Sequence, residues 1–158
     1  MRVLFDPAYG ISDIVAHKLR TVGEPDKRFS EDALRILRAA RFVNIWNQHK
    51  GIQFDFHKDT RASMQQNAEL VGGLAKERIH DELVKVFSHN NPFGYIALLD
   101  ELNLLKVLFP TLYRCKHNDQ PIRYHPFDTY AHTMLTLWNL QQINTNYLVK
   151  LAMLYHDV

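Results

Sequence analysis

Apolar residues recur every three to four positions in several stretches of the sequence, which is the period of an amphipathic helix. The clearest stretch follows Ser30, where one helix face would collect Ala33, Leu34, Ile36, Leu37, Ala40 and Val43. Ser30 is a good N-cap, and Glu31 and Asp32 would then occupy the first turn, where the helix dipole favours acids. The spacing therefore predicts a helix from Ser30 to about Trp46.

The same period, with its start and stop signals, predicts the other elements. A short helix falls within 11–23, and further helices cover 59–71, 75–87, 92–109, 129–143 and 147–157, the last capped by Asn146. Residues 50–56 indicate a turn and an extended piece, and 113–127 a polar loop. The apolar run 3–7, closed by Asp-Pro, predicts the end of a strand without a partner. The pattern predicts an all-α fold, a bundle of about six helices with a residual N-terminal strand.

The overall composition excludes a few classes of protein. With 46% hydrophobic and 23% charged residues, the chain is ordinary globular material. No apolar run is long enough to span a membrane, and the N-terminus lacks the pattern of a signal peptide. Cys115 is the single cysteine, which excludes an internal disulfide and fits a reducing compartment. We therefore expect a cytoplasmic protein.

Charge is unevenly distributed. Residues 18–41 carry more basic than acidic side chains, although the net charge of the whole chain is only +2. A local basic excess favours contact with phosphates, but it is equally typical of a solvated helix face. The candidate phosphate contacts are Lys18, Arg20, Lys27, Arg28 and Arg38. Arg41 falls on the far side of the predicted helix from Asp32, which favours a structural role.

Asp32 and Arg35 stand three residues apart, so on one helix they would be neighbours. A carboxylate only accepts hydrogen bonds and a guanidinium only donates them. This polarity matches the Watson–Crick edges of adenine and cytosine, which pair an amino donor with a ring acceptor, and it mismatches guanine and uracil. The alternative is a surface ion pair worth a few tenths of a kcal/mol, about the value of such pairs in general.

Four segments in order carry a family resemblance: "DPAYGISDI", "LRTVGEP", "RFSEDALRILRAARF" and "KERIHDELVKVF". Together they resemble the tRNA nucleotidyltransferase and poly(A) polymerase family, in the class that contains the bacterial CCA-adding enzymes. The resemblance implies that Glu31, Asp32, Arg35 and Arg38 bind the incoming nucleotide, with Asp32 and Arg35 reading its base. It also implies that Glu77, Arg78 and Glu82 support the neck helix beneath the nucleotide. For those three, a helix cap or surface ion pairs are an equal alternative.

The resemblance further implies what the chain does not contain. The catalytic head of this family holds two Mg²⁺ ions on an Asp-x-Asp pair after a Gly-Ser region, and no such pattern precedes the neck segment here. We therefore expect a fragment that selects ATP and CTP and binds the tRNA 3′ end, but transfers no nucleotide alone. Whether the parent enzyme adds CCA, only A, only CC or a poly(A) tail stays open.

The last part of the sequence resembles the HD superfamily of metal-dependent phosphohydrolases. The matching ligands for a divalent metal would be His132, His156 and Asp157. The implied organisation is a head remnant and hinge in 1–23, a nucleotide- and RNA-binding neck in 24–112, and the start of an HD-type domain in 113–158. Two alternatives remain: an HD phosphohydrolase, or a helical interaction module without a ligand.

Overall fold

The computed structural model describes residues 5–48, 51–89, 91–116, 128–143 and 146–157. This part of the chain forms ten α-helices, one 3₁₀-helix and a two-stranded parallel sheet. In chain order the elements are α1 (Gly10–Val15), β1 (Lys18–Leu19), α2 (Pro25–Glu31), α3 (Leu34–Trp46), β2 (Asp55–Phe56), α4 (Lys58–Gln66), the 3₁₀-helix (Ala68–Gly73), α5 (Lys76–Phe87), α6 (Pro92–Glu101), α7 (Leu105–Leu108), α8 (Pro110–Arg114), α9 (Thr129–Ile143) and α10 (Tyr147–Met153). The predicted all-α class is confirmed, apart from the small sheet.

Helix α3 lies at the centre of the fold. Its apolar residues at helical spacing, among them Ile36, Leu37 and Ala40, are buried, and the helix contacts α2, α5, α6 and the 3₁₀-helix. Each large aliphatic side chain removed from water contributes roughly 1.5–3 kcal/mol to folding. The packing of this one helix therefore holds together residues that are distant in sequence.

The predicted helix from Ser30 to Trp46 is wrong at its start. Ser30 lies in the last turn of α2, and its hydroxyl donates to the carbonyl of Asp26 at 2.8 Å instead of capping a following helix. Asp32 is extended, with φ −157° and ψ 100°, and separates α2 from α3. Pro25 at the start of α2 explains the difference, because proline favours the first turn of a helix and starts one earlier than predicted.

The N-terminal strand prediction covers residues 3–7, of which 3 and 4 lie outside the described residues. Phe5, Asp6 and Pro7 form no strand. Instead, the Asp6 carboxylate accepts the backbone N–H groups of Gly10 and Ile11 at 2.8 and 2.9 Å, which caps α1. The described strands lie elsewhere: β1 pairs in parallel with β2, with Leu19 opposite Phe56.

The apolar stretch 92–109 is two helices instead of the single one predicted. The chain turns at Asn103, which adopts a left-handed conformation with φ 61°, and both flanking leucines, Leu102 and Leu104, are fully buried. A sequence that is apolar on every face carries no periodic signal for such a turn. The predicted loop from 113 begins too early, since α8 continues to Arg114, and 117–127 lie outside the described residues.

The last two helices pack on the rest of the fold; α9 has its predicted bounds, whereas α10 begins where predicted but ends at Met153 instead of continuing to 157. Asn146 caps α10 by accepting the N–H of Leu148 at 2.9 Å. Helix α9 contacts α6, and α10 contacts α5. Within the described ranges, no helix is both long and apolar enough to cross a membrane. The division of the chain into units at 23/24 and 112/113 stays a prediction. In the structure, helices that follow residue 113 contact helices that precede it, as α9 does with α6 and α10 with α5.

Candidate nucleotide and metal sites

The junction between α2 and α3 is built around the Asp32 carboxylate. One of its oxygens accepts the N–H of Leu34 at 3.1 Å, which satisfies a free donor in the first turn of α3. An Asp at this position is a common cap, because its short side chain reaches the backbone two residues ahead. Asp32 is therefore fixed in place by the start of the central helix.

Helix α5 supplies a second partner for Asp32. The Nη2 atom of Arg78 donates to both carboxylate oxygens, at 3.0 and 3.1 Å. Burial alone raises the pKa of Asp32, but the hydrogen bonds from Arg78 and the Leu34 N–H, with the positive charges of Arg78 and Arg35, hold it below its ordinary value. Asp32 is thus ionised at neutral pH and can only accept hydrogen bonds.

Arg35 is held by other groups than Asp32. Its Nη1 donates to the carbonyl of Arg28 at 2.8 Å and to the Glu31 carboxylate at 2.9 Å. The hydrogen bond from Arg35, followed by the charge of Arg28, lowers the pKa of Glu31. Arg35 therefore forms its ion pair with Glu31, while Asp32 and Arg35 flank the same junction without an ion pair between them within 4 Å.

The candidate phosphate contacts differ in how they are engaged. Arg20 forms a bidentate pair with Asp13 at 2.7 and 2.8 Å, Lys18 lies 3.4 Å from Asp55, and Arg28 pairs with Glu31 at 2.7 Å. Lys27 and Arg38 are exposed, and in the described part of the chain neither makes a side-chain hydrogen bond or an ion pair. These two cations are the ones left available for an anionic partner.

The three predicted neck-support residues have different surroundings. Glu82 is buried on α5 and accepts hydrogen bonds from Arg41 Nε at 2.8 Å and Lys85 Nζ at 2.7 Å. Arg78 holds Asp32, whereas Glu77 is exposed. Two of the three therefore join α5 to the α2–α3 region, and Arg41 has the structural position that the sequence indicated.

The three predicted metal ligands lie together. The ligand atoms of His132, His156 and Asp157 are within 4.8 Å of one another, with Asp157 Oδ2 at 3.3 Å from His132 Nε2 and 3.1 Å from His156 Nε2. The second ring nitrogen of His156 lies 2.7 Å from the Met153 carbonyl, which orients the ring. Two imidazoles and a carboxylate suit a transition-metal ion, so the donor set fits the implied group.

Sequence reasoning missed a polar cleft of about 490 Å³ between α3, β2 and α6. Its walls include Asn44, Asn47 and Asn91, and Asn47 exchanges two hydrogen bonds with the backbone of Phe54. Neither Asp32 nor Arg35 lines it. Amides that face one another across a fold give no periodic or motif signal, so the sequence could not reveal this cleft.

A family model described as "Probable RNA and SrmB- binding site of polymerase A" matches residues 53–115. This segment includes α4, the 3₁₀-helix and α5 with Arg78 and Glu82, and it extends through α8. The segment similar to this RNA-binding family thus includes α5, the helix that supports the α2–α3 junction.

Two curated proteins are similar along nearly the whole chain. The Multifunctional CCA protein of Mannheimia succiniciproducens is 35% identical over 161 residues, which cover 97% of this chain. The protein of the same name from Thioalkalivibrio sulfidiphilus is 34% identical over 158 residues, which cover 98% of this chain. The chain spans 37% of the length of each. The similarity includes the α2–α3 junction, its supports on α5, and helices α9 and α10, and the chain therefore belongs to the family of CCA-adding enzymes and poly(A) polymerases.

Proposed function

We propose that this chain is the nucleotide-selecting and tRNA-binding part of a CCA tRNA nucleotidyltransferase or poly(A) polymerase, enzymes that add CMP or AMP to RNA 3′ ends without a nucleic-acid template. The observation that carries the proposal is the α2–α3 junction. There an ionised acceptor, Asp32, and a donor, Arg35, flank one turn of backbone that α5 holds in place. The proposed partners are ATP, CTP and the tRNA 3′ end.

Base selection would follow from the polarity of these two groups. Asp32 accepts from the amino group of adenine or cytosine, and Arg35 donates to the adjacent ring nitrogen. Guanine and uracil present the reverse order, which would place an acceptor against a carboxylate. Among the described residues, only the Nη1 atom of Arg35 is engaged in hydrogen bonds, so the other guanidinium N–H groups can serve a nucleotide. Arg38 and Lys27 are proposed to contact phosphates.

We assign no transfer step to these residues. In the family the reaction uses two Mg²⁺ ions, which activate the 3′-hydroxyl and stabilise the leaving pyrophosphate. The sequence has no Asp-x-Asp after a Gly-Ser region ahead of Asp32 to hold them. The proposal therefore concerns binding and selection, and the chain by itself is expected to be inactive in nucleotide addition.

RNA binding is expected to depend on Lys27 and Arg38. The double variant Lys27→Ala/Arg38→Ala should bind a fluorescein-labelled RNA acceptor hairpin with a 3′ CC end roughly tenfold more weakly at moderate salt. The slope of log K against log salt should become shallower by about two, because each phosphate contact contributes about one. Fluorescence anisotropy at several salt concentrations measures both quantities.

Lys27→Arg/Arg38→Lys is the matched control, because it keeps a positive charge at both positions. It should leave the affinity and slope close to those of the wild type. An unchanged slope in the Lys27→Ala/Arg38→Ala variant, or an equal loss in the control, would contradict the assignment of these two contacts.

The ligand cluster supports a second candidate function, a metal-dependent phosphohydrolase of the HD type. His132, His156 and Asp157 would hold the ion, which would supply Lewis-acid activation of a phosphoester and of water. Mn²⁺ or Co²⁺ is expected to raise the melting temperature, since an ion that binds only the folded state stabilises it.

His132→Ala and Asp157→Asn should abolish this rise in melting temperature, while the exposed His80→Ala should not. Release of phosphate from 2′,3′-cyclic nucleotides, measured with the same metals, tests the activity itself. If the metal still raised the melting temperature of both His132→Ala and Asp157→Asn, these residues would not be its ligands.

A further inference from the structure

The polar cleft between α3, β2 and α6 has charged walls whose charges cancel. Among the described residues that line it, two are cations, Lys18 and Arg61, and two are acids, Asp55 and Glu101. Asp55 lies 2.7 Å from Arg61 and 3.4 Å from Lys18, and Glu101 lies 3.4 Å from Arg61. Because a phosphate would meet no excess of positive charge here, the cleft suits a ligand that is polar but uncharged.

Three asparagines that line the cleft keep unused hydrogen-bond donors. Asn44 Nδ2 donates to the carbonyl of Asn91 at 3.0 Å, and Asn91 Nδ2 donates to Asn44 Oδ1 at 3.1 Å. Asn47 Nδ2 donates to the carbonyl of Phe54 at 3.0 Å. Each amide nitrogen carries two N–H groups, and in the described part of the chain each makes only the one bond just given. One N–H group of each asparagine therefore remains available to a ligand.

Glu101 supplies an available acceptor in the same cleft. Its Oε2 atom makes one long contact to Arg61, at 3.4 Å, and its side chain is 60% exposed. It is the last residue of α6, where the helix dipole disfavours an acid, so helix stability does not account for it. A carboxylate is the group that dinucleotide-binding folds place against a ribose 2′-hydroxyl. Glu101 thus has the chemistry of a ribose contact.

The size of the cleft and its place in the chain both favour a nucleoside. Its volume of about 490 Å³ lies within the roughly 300–1,000 Å³ of small-molecule sites. Of the described lining residues, four precede residue 53, and the other nine lie within 53–115, the segment that is similar to the RNA-binding family. Proteins recognise single-stranded RNA through its unstacked bases and its 2′-hydroxyls, which are polar and uncharged.

We infer that the cleft holds one nucleoside unit of a single-stranded RNA. The asparagine amides donate to its base, and Glu101 accepts a hydrogen bond from its ribose 2′-hydroxyl. The inference rests on the proposed RNA binding and deepens it, because it assigns the contact that distinguishes RNA from DNA. Lys27 and Arg38 do not line the cleft, so phosphate contact and ribose recognition fall on separate residues.

Fluorescence anisotropy with a labelled single strand of about 12 nucleotides, containing only A and C and made as RNA and as DNA, tests the inference. The wild-type chain is expected to bind the RNA roughly tenfold more tightly than the DNA, the low end of the effect of one hydrogen bond to a charged group. Glu101→Ala should weaken RNA binding to about the level of DNA and leave DNA binding unchanged. Simple electrostatics predicts the opposite sign, because removal of an acid favours a polyanion.

Two further variants separate the hydrogen bond from the charge. Glu101→Gln keeps an acceptor oxygen without the charge and should retain most of the preference for RNA. Asp81→Ala removes an acid of α5 that lies outside the cleft and is 74% accessible, and it should leave the ratio of RNA to DNA affinity unchanged. Since Glu101 is exposed, its variants should keep the far-UV circular dichroism and melting behaviour of the wild type.

The possible outcomes distinguish this inference from the proposed RNA binding. A preference for RNA that Glu101→Ala does not change would overturn the inference and leave RNA binding intact. A wild-type chain that binds no RNA would overturn both. Free adenosine and cytidine at millimolar concentration should not raise the melting temperature. A rise that Glu101→Ala abolishes, with RNA binding unchanged in that variant, would assign the cleft to a free nucleoside instead of an RNA strand.

Discussion

Glu82→Ala is expected to lower the free energy of unfolding by about 3–5 kcal/mol, the usual loss when one partner of a buried ion pair is removed. The Glu82 side chain is 4% exposed and that of Arg41 13%. Without the carboxylate, the Arg41 guanidinium stays desolvated with no counter-ion. Urea unfolding followed by circular dichroism measures the change.

Glu77→Ala is the matched control on the same helix, where the side chain is exposed, and it should change the free energy of unfolding by less than about 0.5 kcal/mol. Replacing both partners, as Arg41→Met/Glu82→Met, should destabilise less than Glu82→Ala alone, because no charge is then left unpaired. A Glu82→Ala protein as stable as Glu77→Ala would show that the ion pair does not join α5 to α3 in solution.

The same ion pair predicts a loss of stability in acid. Burial alone raises the pKa of Glu82, but hydrogen bonds from Lys85 and Arg41 and their charges outweigh it and hold the pKa below 4.5. The contribution of the pair is therefore fully present above about pH 4.5 and is lost as the pH falls through the lower, folded-state pKa. The difference in the free energy of unfolding between the wild type and Glu82→Ala should therefore become smaller as the pH is lowered below about 4.5.

The helices that the sequence predicted well are those with a clear cap or a clear period. Helix α9 begins and ends where predicted, and α10 follows the Asn146 cap. The predicted start of α3 was wrong because the segment "FSEDAL" contains two residues, Ser30 and Asp32, that can cap a helix. Ser30 has the better intrinsic signal, but α2 continues past it, and Asp32 is left to cap the central helix.

The candidate site could be predicted as a set of residues but not as a set of contacts. Asp32 and Arg35 are neighbours in the sequence, yet each takes a partner that sequence spacing does not indicate. Asp32 binds Arg78, which is 46 residues away and reaches it only because α5 packs on α3. Long-range ion pairs of this kind depend on tertiary packing, which local patterns do not encode.

The burial of Lys150 is another feature that local sequence patterns could not predict. Lysine is almost always exposed, so a sequence-based assignment would place it on the surface of α10. Its burial follows from the position of α10 beside the end of α5, where two carbonyls lack helical partners. By contrast, His132, His156 and Asp157 could be grouped from a family resemblance, and the structure places them together.

Asp32→Asn is expected to reduce the preference for ATP over GTP, and for CTP over UTP, by roughly 10- to 150-fold, the range of one hydrogen bond to a charged group. The asparagine side chain can still cap α3 by accepting the Leu34 N–H, so the fold should survive. Its amide can also turn to donate, and it then tolerates the carbonyl of guanine or uracil. Competition of the four nucleotides against a fluorescent ATP analogue measures the ratios.

Asp81→Asn provides the control, because it neutralises an exposed acid on α5 whose side chain is 74% accessible and should leave all four affinities unchanged. Arg78→Gln separates positioning from base reading. It frees Asp32 from α5 without changing the carboxylate, so affinity for ATP and CTP should fall while the preference over GTP and UTP is largely retained. Equal binding of all four nucleotides by the wild type, or no binding up to millimolar concentrations, would contradict base selection at this junction. A preference unaffected by Asp32→Asn would place the selecting groups elsewhere in the chain.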